Sequence, residues 1–234
     1  MPVNALQLPL ELRLPVPARL EDFIADDPED LKKAFNHLLS SEEHAFILLS
    51  GASGSGKTHL LSSLCHLADQ HALAVIYLPL ADFDELSPEV CEGLESADLI
   101  CLDDIDAIAG NPQWEEALFH LYNRIRDQQK KLLVSAQNGA ANLNIQLADL
   151  RSRLAWGVNL HINTLSDQSK RDLLIQRSRQ MGMEMPAEVA IYLLNHFDRN
   201  LNQLMSLLEK LERASMAAKR KLTVPFIREV LPSL

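Results

Sequence analysis

The sequence predicts an α/β protein: a five-stranded parallel sheet covered by helices on both faces, followed by a small all-helical unit. Three observations carry this reading. Short apolar runs alternate with helical stretches as far as residue 162, a glycine-rich turn links the first run to a long amphipathic stretch, and strand signals stop beyond residue 165.

Along the chain, residues 1–20 alternate leucine with proline (Leu8, Pro9, Leu10, Leu12, Leu14, Pro15, Pro17), which suits neither a helix nor an inner strand and predicts an extended arm. Leu31, Ala34, Phe35, Leu38 and Leu39 have helical spacing, with Pro28 early in the turn, so a first helix is expected over 28–39. Strands are expected at 45–50, 74–78, 99–102, 132–135 and 158–162. Helices fall between them, at 58–71 and at 114–126. Ser166 is placed to cap a helix over 167–180 that Gly182 would end, and further helices are expected at 186–197, 201–217 and 223–231. The predicted organisation is an arm over 1–20, a sheet domain over 21–165 and a helical domain over 166–234.

Composition narrows the function. Of 234 residues, 47% are hydrophobic and 23% charged, as in ordinary globular proteins, and the formal net charge is −10. That sign argues against a large direct nucleic-acid footprint, which needs clustered Lys and Arg, so contact with DNA is expected only through a partner. Cys65, Cys91 and Cys101 are widely spaced among apolar neighbours and read as buried thiols in a reducing compartment. The N-terminus has no secretory pattern and no stretch approaches the ~20 apolar residues of a membrane span, which predicts a soluble cytoplasmic protein.

The strongest chemical signal is the run Gly51, Ala52, Ser53, Gly54, Ser55, Gly56, Lys57 and Thr58, which fits G-x-x-x-x-G-K-[ST] at every position. Glycines let backbone N–H groups turn inward around phosphates, Lys57 supplies a cation for the outer phosphate, and Thr58 offers a hydroxyl to Mg²⁺. The run follows a strand and opens a helix, whose N-terminus adds positive potential. A second signal is the apolar strand that ends in Asp103 and Asp104. Beside a phosphate loop, Asp103 can hold Mg²⁺ through water and Asp104 can orient an attacking water, whereas alone the pair would read as a solvated turn. The expected cofactors are ADP or ATP with Mg²⁺.

With these motifs and a helical C-terminal unit, the sequence resembles the AAA+ family, in its DnaA initiator branch, over nearly its whole length. The likeness rests on 102–105 (Leu-Asp-Asp-Ile), 121–124 (Leu-Tyr-Asn-Arg), 150–157 (Leu-Arg-Ser-Arg-Leu-Ala-Trp-Gly) and 220–226 (Arg-Lys-Leu-Thr-Val-Pro-Phe). No DNA-binding helix-turn-helix is expected after the helical lid, which sets the chain apart from the initiator itself. The resemblance implies that Arg153 is an arginine finger reaching into a neighbour's ATP, while Arg151 reads as a surface charge. It also implies a nucleotide neighbour at His59, an adenine contact at Ile24 beside Phe23, and a sensor 1 polar residue at Gln137, where Asp or Asn is usual. Asn202 stands where a sensor 2 arginine is usual, which implies weak self-hydrolysis and stable retention of a diphosphate. Arg199, one turn earlier, is the candidate substitute.

Gln7, Leu8, Leu10 and Leu12 in the arm resemble the Q-L-x-L-x-[LF] peptide with which bacterial proteins dock on the polymerase sliding clamp. Together these likenesses imply a replication regulator that promotes hydrolysis of ATP held by DnaA, with self-association as a homo-oligomer or dimer. Two other readings stay open: an autonomous ATPase of clamp-loader or DNA-remodelling type, and a non-catalytic DnaA adaptor. The spacing of Trp114, Leu118, Leu121, Tyr122 and Ile125 reads as a packed helix face rather than a ligand box.

Overall fold

The computed structural model describes residues 23, 29–41, 44–81 and 86–231. The arm, with Gln7, Leu8, Leu10 and Leu12, lies outside the described residues, as does Ile24.

Five strands form one parallel sheet: β1 (Ala45–Ser50), β2 (Val75–Pro79), β3 (Leu99–Asp103), β4 (Lys131–Ala136) and β5 (Val158–His161), in spatial order β2-β3-β4-β1-β5. Helices α1 (Glu29–Ser40), α2 (Lys57–Gln70), α3 (Pro112–Asp127) and α4 (Ala148–Trp156) lie between or before them. They are followed by α5 (Asp167–Gln180), α6 (Ala187–His196), α7 (Leu201–Ala218) and α8 (Val224–Val230).

The period-two alternation of each strand builds two cores. Phe46, Leu48, Ile100, Leu102, Leu132 and Val134 meet Trp114, Leu118, Leu121, Tyr122 and Ile125 of α3 and Leu150 and Leu154 of α4 on one face. Ile47, Leu49, Leu99, Cys101 and Leu133 meet Leu31, Phe35 and Leu38 of α1 and Leu60, Leu61 and Leu64 of α2 on the other. The expected packed face of α3 is therefore a core face. A third core is made by α5 to α8, through Leu174, Leu193, Leu204, Leu208, Leu211 and Phe226.

Ser166 caps α5 through its hydroxyl, which accepts from the Ser169 N–H at 3.2 Å. Most expected elements shift by a residue or so at their ends. Two differences are larger. Helix α4 has only Leu150 and Leu154 buried, a pair too sparse to signal a helix. And β5, expected as a covered strand, is the sheet edge, with Val158 48% exposed. Among the described residues no helix is long and apolar enough to cross a membrane. All three cysteines are free and buried, and burial pushes the Cys91 thiol up to about 12, so it stays protonated and inert.

Candidate functional site

The loop from Gly51 to Gly56 leaves the C-terminal end of β1 and enters α2. Its first N–H donates to Ala136 O at 3.1 Å, so the loop is anchored to the end of the adjacent strand β4. Gly54 has φ 76°, a left-handed conformation that costs a side chain dearly, and a Cβ there would stand 3.1 Å from the Asn200 amide. The lid thus rests against the loop at a residue that offers it no side chain.

Inside the loop, Lys57 is 6% exposed and its ammonium donates to Gly51 O at 2.8 Å and Ala52 O at 3.2 Å. Ser55 is buried, and its hydroxyl has no hydrogen-bond partner among the described residues. A buried orphan hydroxyl beside an ammonium and the head of a 14-residue helix fits a phosphate group. Thr58, in the first turn of α2, is exposed. The residues present therefore suit a nucleoside polyphosphate with Mg²⁺, in which Lys57 and the loop N–H groups would hold phosphate and Thr58 and Asp103 would hold the metal. The metal would supply charge neutralisation across the phosphates.

Asp103, the last residue of β3, is 3% exposed. One carboxylate oxygen accepts a short hydrogen bond from Ser135 Oγ on β4, and the other accepts from the Tyr77 hydroxyl on β2 at 2.7 Å. Burial, and then the Asp103 charge, hold the Tyr77 hydroxyl firmly protonated. Asp104 follows with φ 58°, a left-handed non-glycine residue at the strand end, and its N–H donates to Ser135 Oγ at 2.8 Å. Burial, and then the Asp103 charge, raise the Asp104 carboxyl above the usual carboxylate range, against the pull of Lys57. Gln137 comes directly after β4; its side chain is exposed and its N–H donates to Asp106 Oδ2 at 2.6 Å.

Between the loop and the lid lies a cleft of about 250 Å³. Phe23, Gly54, Ser55, Gly56 and His59 line it from the sheet domain, and Leu173, Arg177, Met181, Asn202, Met205 and Leu208 from the lid. The Phe23 and His59 rings stack with centroids 6.0 Å apart. Such a mixture of aromatic, thioether and aliphatic walls over a phosphate loop suits a flat base. Asn202 therefore faces the cleft. Arg199 does not line it: its guanidinium donates to Asp167 Oδ2 at 2.7 Å and Leu194 O at 3.0 Å, within the lid. Arg177 of α5 does line the cleft, with its guanidinium donating to Gln180 Oε1 at 2.9 Å, and no motif in the sequence marks this residue.

Arg153 sits elsewhere. Its guanidinium carbon lies 4.7 Å from the Trp156 ring centre and 6.0 Å from that of Tyr122, and it forms no ion pair among the described residues. Trp156 is 68% exposed. Tyr122 packs edge-on against Phe46 and His44, which mark the start of β1. Gly157 links α4 to β5 against the Phe46 ring, where a side chain would have no room. Since β5 runs parallel to β1, with Val158 beside Ile47 and His161 beside Ser50, Arg153 lies at the N-terminal edge of the sheet. The phosphate loop lies at the other end of β1, about 17 Å of strand away from Phe46. Arg151 instead donates to Ile145 O at 3.2 Å.

Glu115, unremarked in the sequence, is 1% exposed in α3 and takes backbone N–H groups from Gly110 at 2.7 Å, Gln146 at 2.9 Å and Leu147 at 2.7 Å. Leu147 is the cap residue of α4, so this carboxylate fixes the start of the helix that carries Arg153.

A parallel sheet whose inner strand empties into a phosphate loop roofed by a helical lid is the architecture of an AAA+ module. The family model for the bacterial DnaA ATPase domain matches residues 36–161, and that for the Hda lid domain matches residues 167–231. Among solved structures, domain III of the Thermotoga maritima replication initiation protein DnaA shares 21% identity at a TM-score of 0.77, over 92% of this chain and 95% of that one. AMPPCP-bound DnaA from Aquifex aeolicus shares 23% identity at 0.70, over 87% and 67%. The Thermotoga maritima RuvB Holliday junction branch migration motor shares 18% at 0.69, over 92% and 72%. The chain belongs to the family of bacterial DnaA ATPase domains, with a lid of the Hda type, and is a DnaA-related AAA+ protein of replication initiation.

Proposed function

We propose that this protein binds ADP or ATP with Mg²⁺ in the cleft beneath the lid, and that it promotes hydrolysis of ATP held by a neighbouring DnaA by presenting Arg153 in trans. The observation that carries the reading is the placement of Arg153. It lies at the sheet edge opposite its own phosphate loop, on an aromatic platform beside exposed Trp156, so its charge is available to a neighbour's phosphates and not to its own. Such a cation stabilises the charge that develops in phosphoryl transfer.

In this reading residues 1–20 are an arm that docks on the polymerase sliding clamp through Gln7, Leu8, Leu10 and Leu12. Residues 21–165 hold the nucleotide, and 166–234 form the lid. Docking on a clamp that encircles DNA reconciles the net charge of −10 with work on replicating DNA, which the protein meets only indirectly. Its working place is the cytoplasm. Self-association as a homo-oligomer or dimer belongs to the same reading, alongside DnaA contact. The outcome is restraint of re-initiation.

The test is hydrolysis of DnaA-bound ATP on clamp-loaded DNA, with wild-type protein and with Arg153→Ala. Stimulation by the wild type and its loss in the variant support the reading. Brisk turnover by the protein alone favours an autonomous ATPase, and full function without Arg153 favours an adaptor. Gln7→Ala with Leu8→Ala should abolish clamp pull-down and leave nucleotide binding intact; full clamp retention removes the arm from the mechanism.

A further inference from the structure

Tyr77 belongs to no phosphate-loop motif, yet its hydroxyl is tied to the central acid of the site. Pro79 pairs with Asp103 across β2 and β3, and Tyr77 with Cys101, so Tyr77 lies two residues back on the same face and reaches forward along the strand to Asp103 Oδ2. From the opposite neighbour, β4, Ser135 donates to the other oxygen. The Asp104 N–H donates into Ser135 Oγ, so the Ser135 proton is committed to Asp103. Tyr77 is 7% exposed and Ser135 fully buried. Phenylalanine or alanine would fill either place without a hydroxyl to satisfy, so packing alone does not account for these two side chains.

We infer that Tyr77 and Ser135 are positioning residues for Mg²⁺, acting through Asp103. A carboxylate offers about four lone-pair sites. One donor on each oxygen, from two different strands, prevents the group from rotating about its Cβ–Cγ bond and leaves each oxygen acceptor capacity for a metal-bound water. With either donor gone, the carboxylate turns about the remaining bond and its orientation toward the loop is lost. Loss of such a supporting partner typically costs about 10–100-fold in metal affinity. The inference rests on the reading that Asp103 faces the Mg²⁺ of a nucleotide bound at the loop.

The experiment measures affinity for N-methylanthraniloyl-ADP against Mg²⁺ concentration, and in EDTA, for wild type, Tyr77→Phe, Ser135→Ala and Ser135→Thr. Tyr77→Phe and Ser135→Ala should each raise the Mg²⁺ needed for half-maximal tightening by about tenfold. Ser135→Thr, which keeps the hydroxyl, should restore the wild-type midpoint, and affinity in EDTA should be equal in all four. A wild-type midpoint in Tyr77→Phe, or an equal loss with and without Mg²⁺, overturns the inference. If Tyr77→Phe does not fold, Ser135→Ala against Ser135→Thr decides it alone. Wild-type binding that ignores Mg²⁺ overturns the role of Asp103 and that of Tyr77 with it, and wild-type protein that binds no nucleotide overturns the site reading itself.

Discussion

Arg153 lies over the face of Trp156, its guanidinium carbon 4.7 Å from the ring centre. A contact at that distance stabilises by about 0.5–1 kcal/mol at an exposed site and holds a long side chain to one direction. Trp156 is therefore a support for this guanidinium as well as a surface residue, and in the proposed trans mechanism the two form one face for a neighbour.

Replacing Arg153 by alanine should reduce stimulation of DnaA-bound ATP hydrolysis by about 10³-fold, the scale of an arginine finger. Nucleotide affinity should stay within twofold, because the residue is remote from its own loop. Arg153→Lys should recover little, since an ammonium lacks the planar fork and stacks less well. Single-turnover assays on ATP-loaded DnaA read both, and wild-type rates in Arg153→Ala would end the trans mechanism.

Lys57 is held by two loop carbonyls, and exchanging these for phosphate oxygens turns neutral acceptors into charged ones. Lys57→Ala should therefore lower nucleotide affinity by about 100-fold or more, the equivalent of the ~3 kcal/mol upper range for a hydrogen bond to a charged group. Isothermal calorimetry reads this directly. Undiminished binding in a folded variant would place the ligand elsewhere.

Asn202 faces the cleft and Arg199 is engaged by Asp167, so neither position brings a guanidinium to the cleft. Asn202→Arg should add a clamp for a third phosphate and shift the ratio of ATP to ADP affinity toward ATP by about tenfold, a modest charge-assisted bond. Competition binding with both nucleotides checks it. An unchanged ratio would mean that this position does not approach the phosphates.

These sites differ in how far the sequence reveals them. The phosphate loop is legible because its function is local: eight consecutive residues supply the turn, the donors and the cation. Asp103 is legible because an apolar run that ends in two acids is unusual. Tyr77 and Ser135 look like ordinary strand residues, since their partner lies 26 and 32 positions away and only the strand order brings the three together. The exposure of β5 was hidden for the same reason. Its apolar run shows that it is a strand, but its place at the edge depends on which strands lie beyond it. Arg199 shows the converse. Sequence position put it near the cleft, whereas an acid 32 residues away holds it within the lid.

Asp98 offers a pH test. Its carboxylate accepts from Lys130 at 2.8 Å and from the Ala74 N–H at 3.0 Å, tying together the start of three strands. The Lys130 ammonium, and then the Ala74 N–H, hold this carboxyl below the usual carboxylate range. A depressed folded-state value gives stability that is present above the unfolded value, about 3.9, and is lost as pH falls through the folded one. Asp98→Asn should thus flatten the acid limb of stability and leave its slope near neutrality unchanged. Urea midpoints from pH 3 to pH 7, roughly the span over which such a carboxylate responds, would show this; parallel curves would exclude a contribution from Asp98.

Glu115 supplies the last prediction, because it joins stability to function. Its buried carboxylate accepts from two backbone N–H groups at the entrance to α4, those of Gln146 and Leu147, and from the Gly110 N–H ahead of α3. Glu115→Ala leaves those donors unpaired and opens a cavity, which should cost about 3 kcal/mol. Glu115→Gln keeps the shape and one acceptor oxygen, so it should cost less while still loosening the start of α4. The sharper test uses Glu115→Gln at a temperature where it is fully folded. If this carboxylate sets the direction of α4, stimulation of DnaA-bound ATP hydrolysis should fall about tenfold while nucleotide affinity holds, since a displacement of about 1 Å far from the chemistry can cost up to ~100-fold. A folded Glu115→Gln protein with full stimulation would confine Glu115 to stability alone.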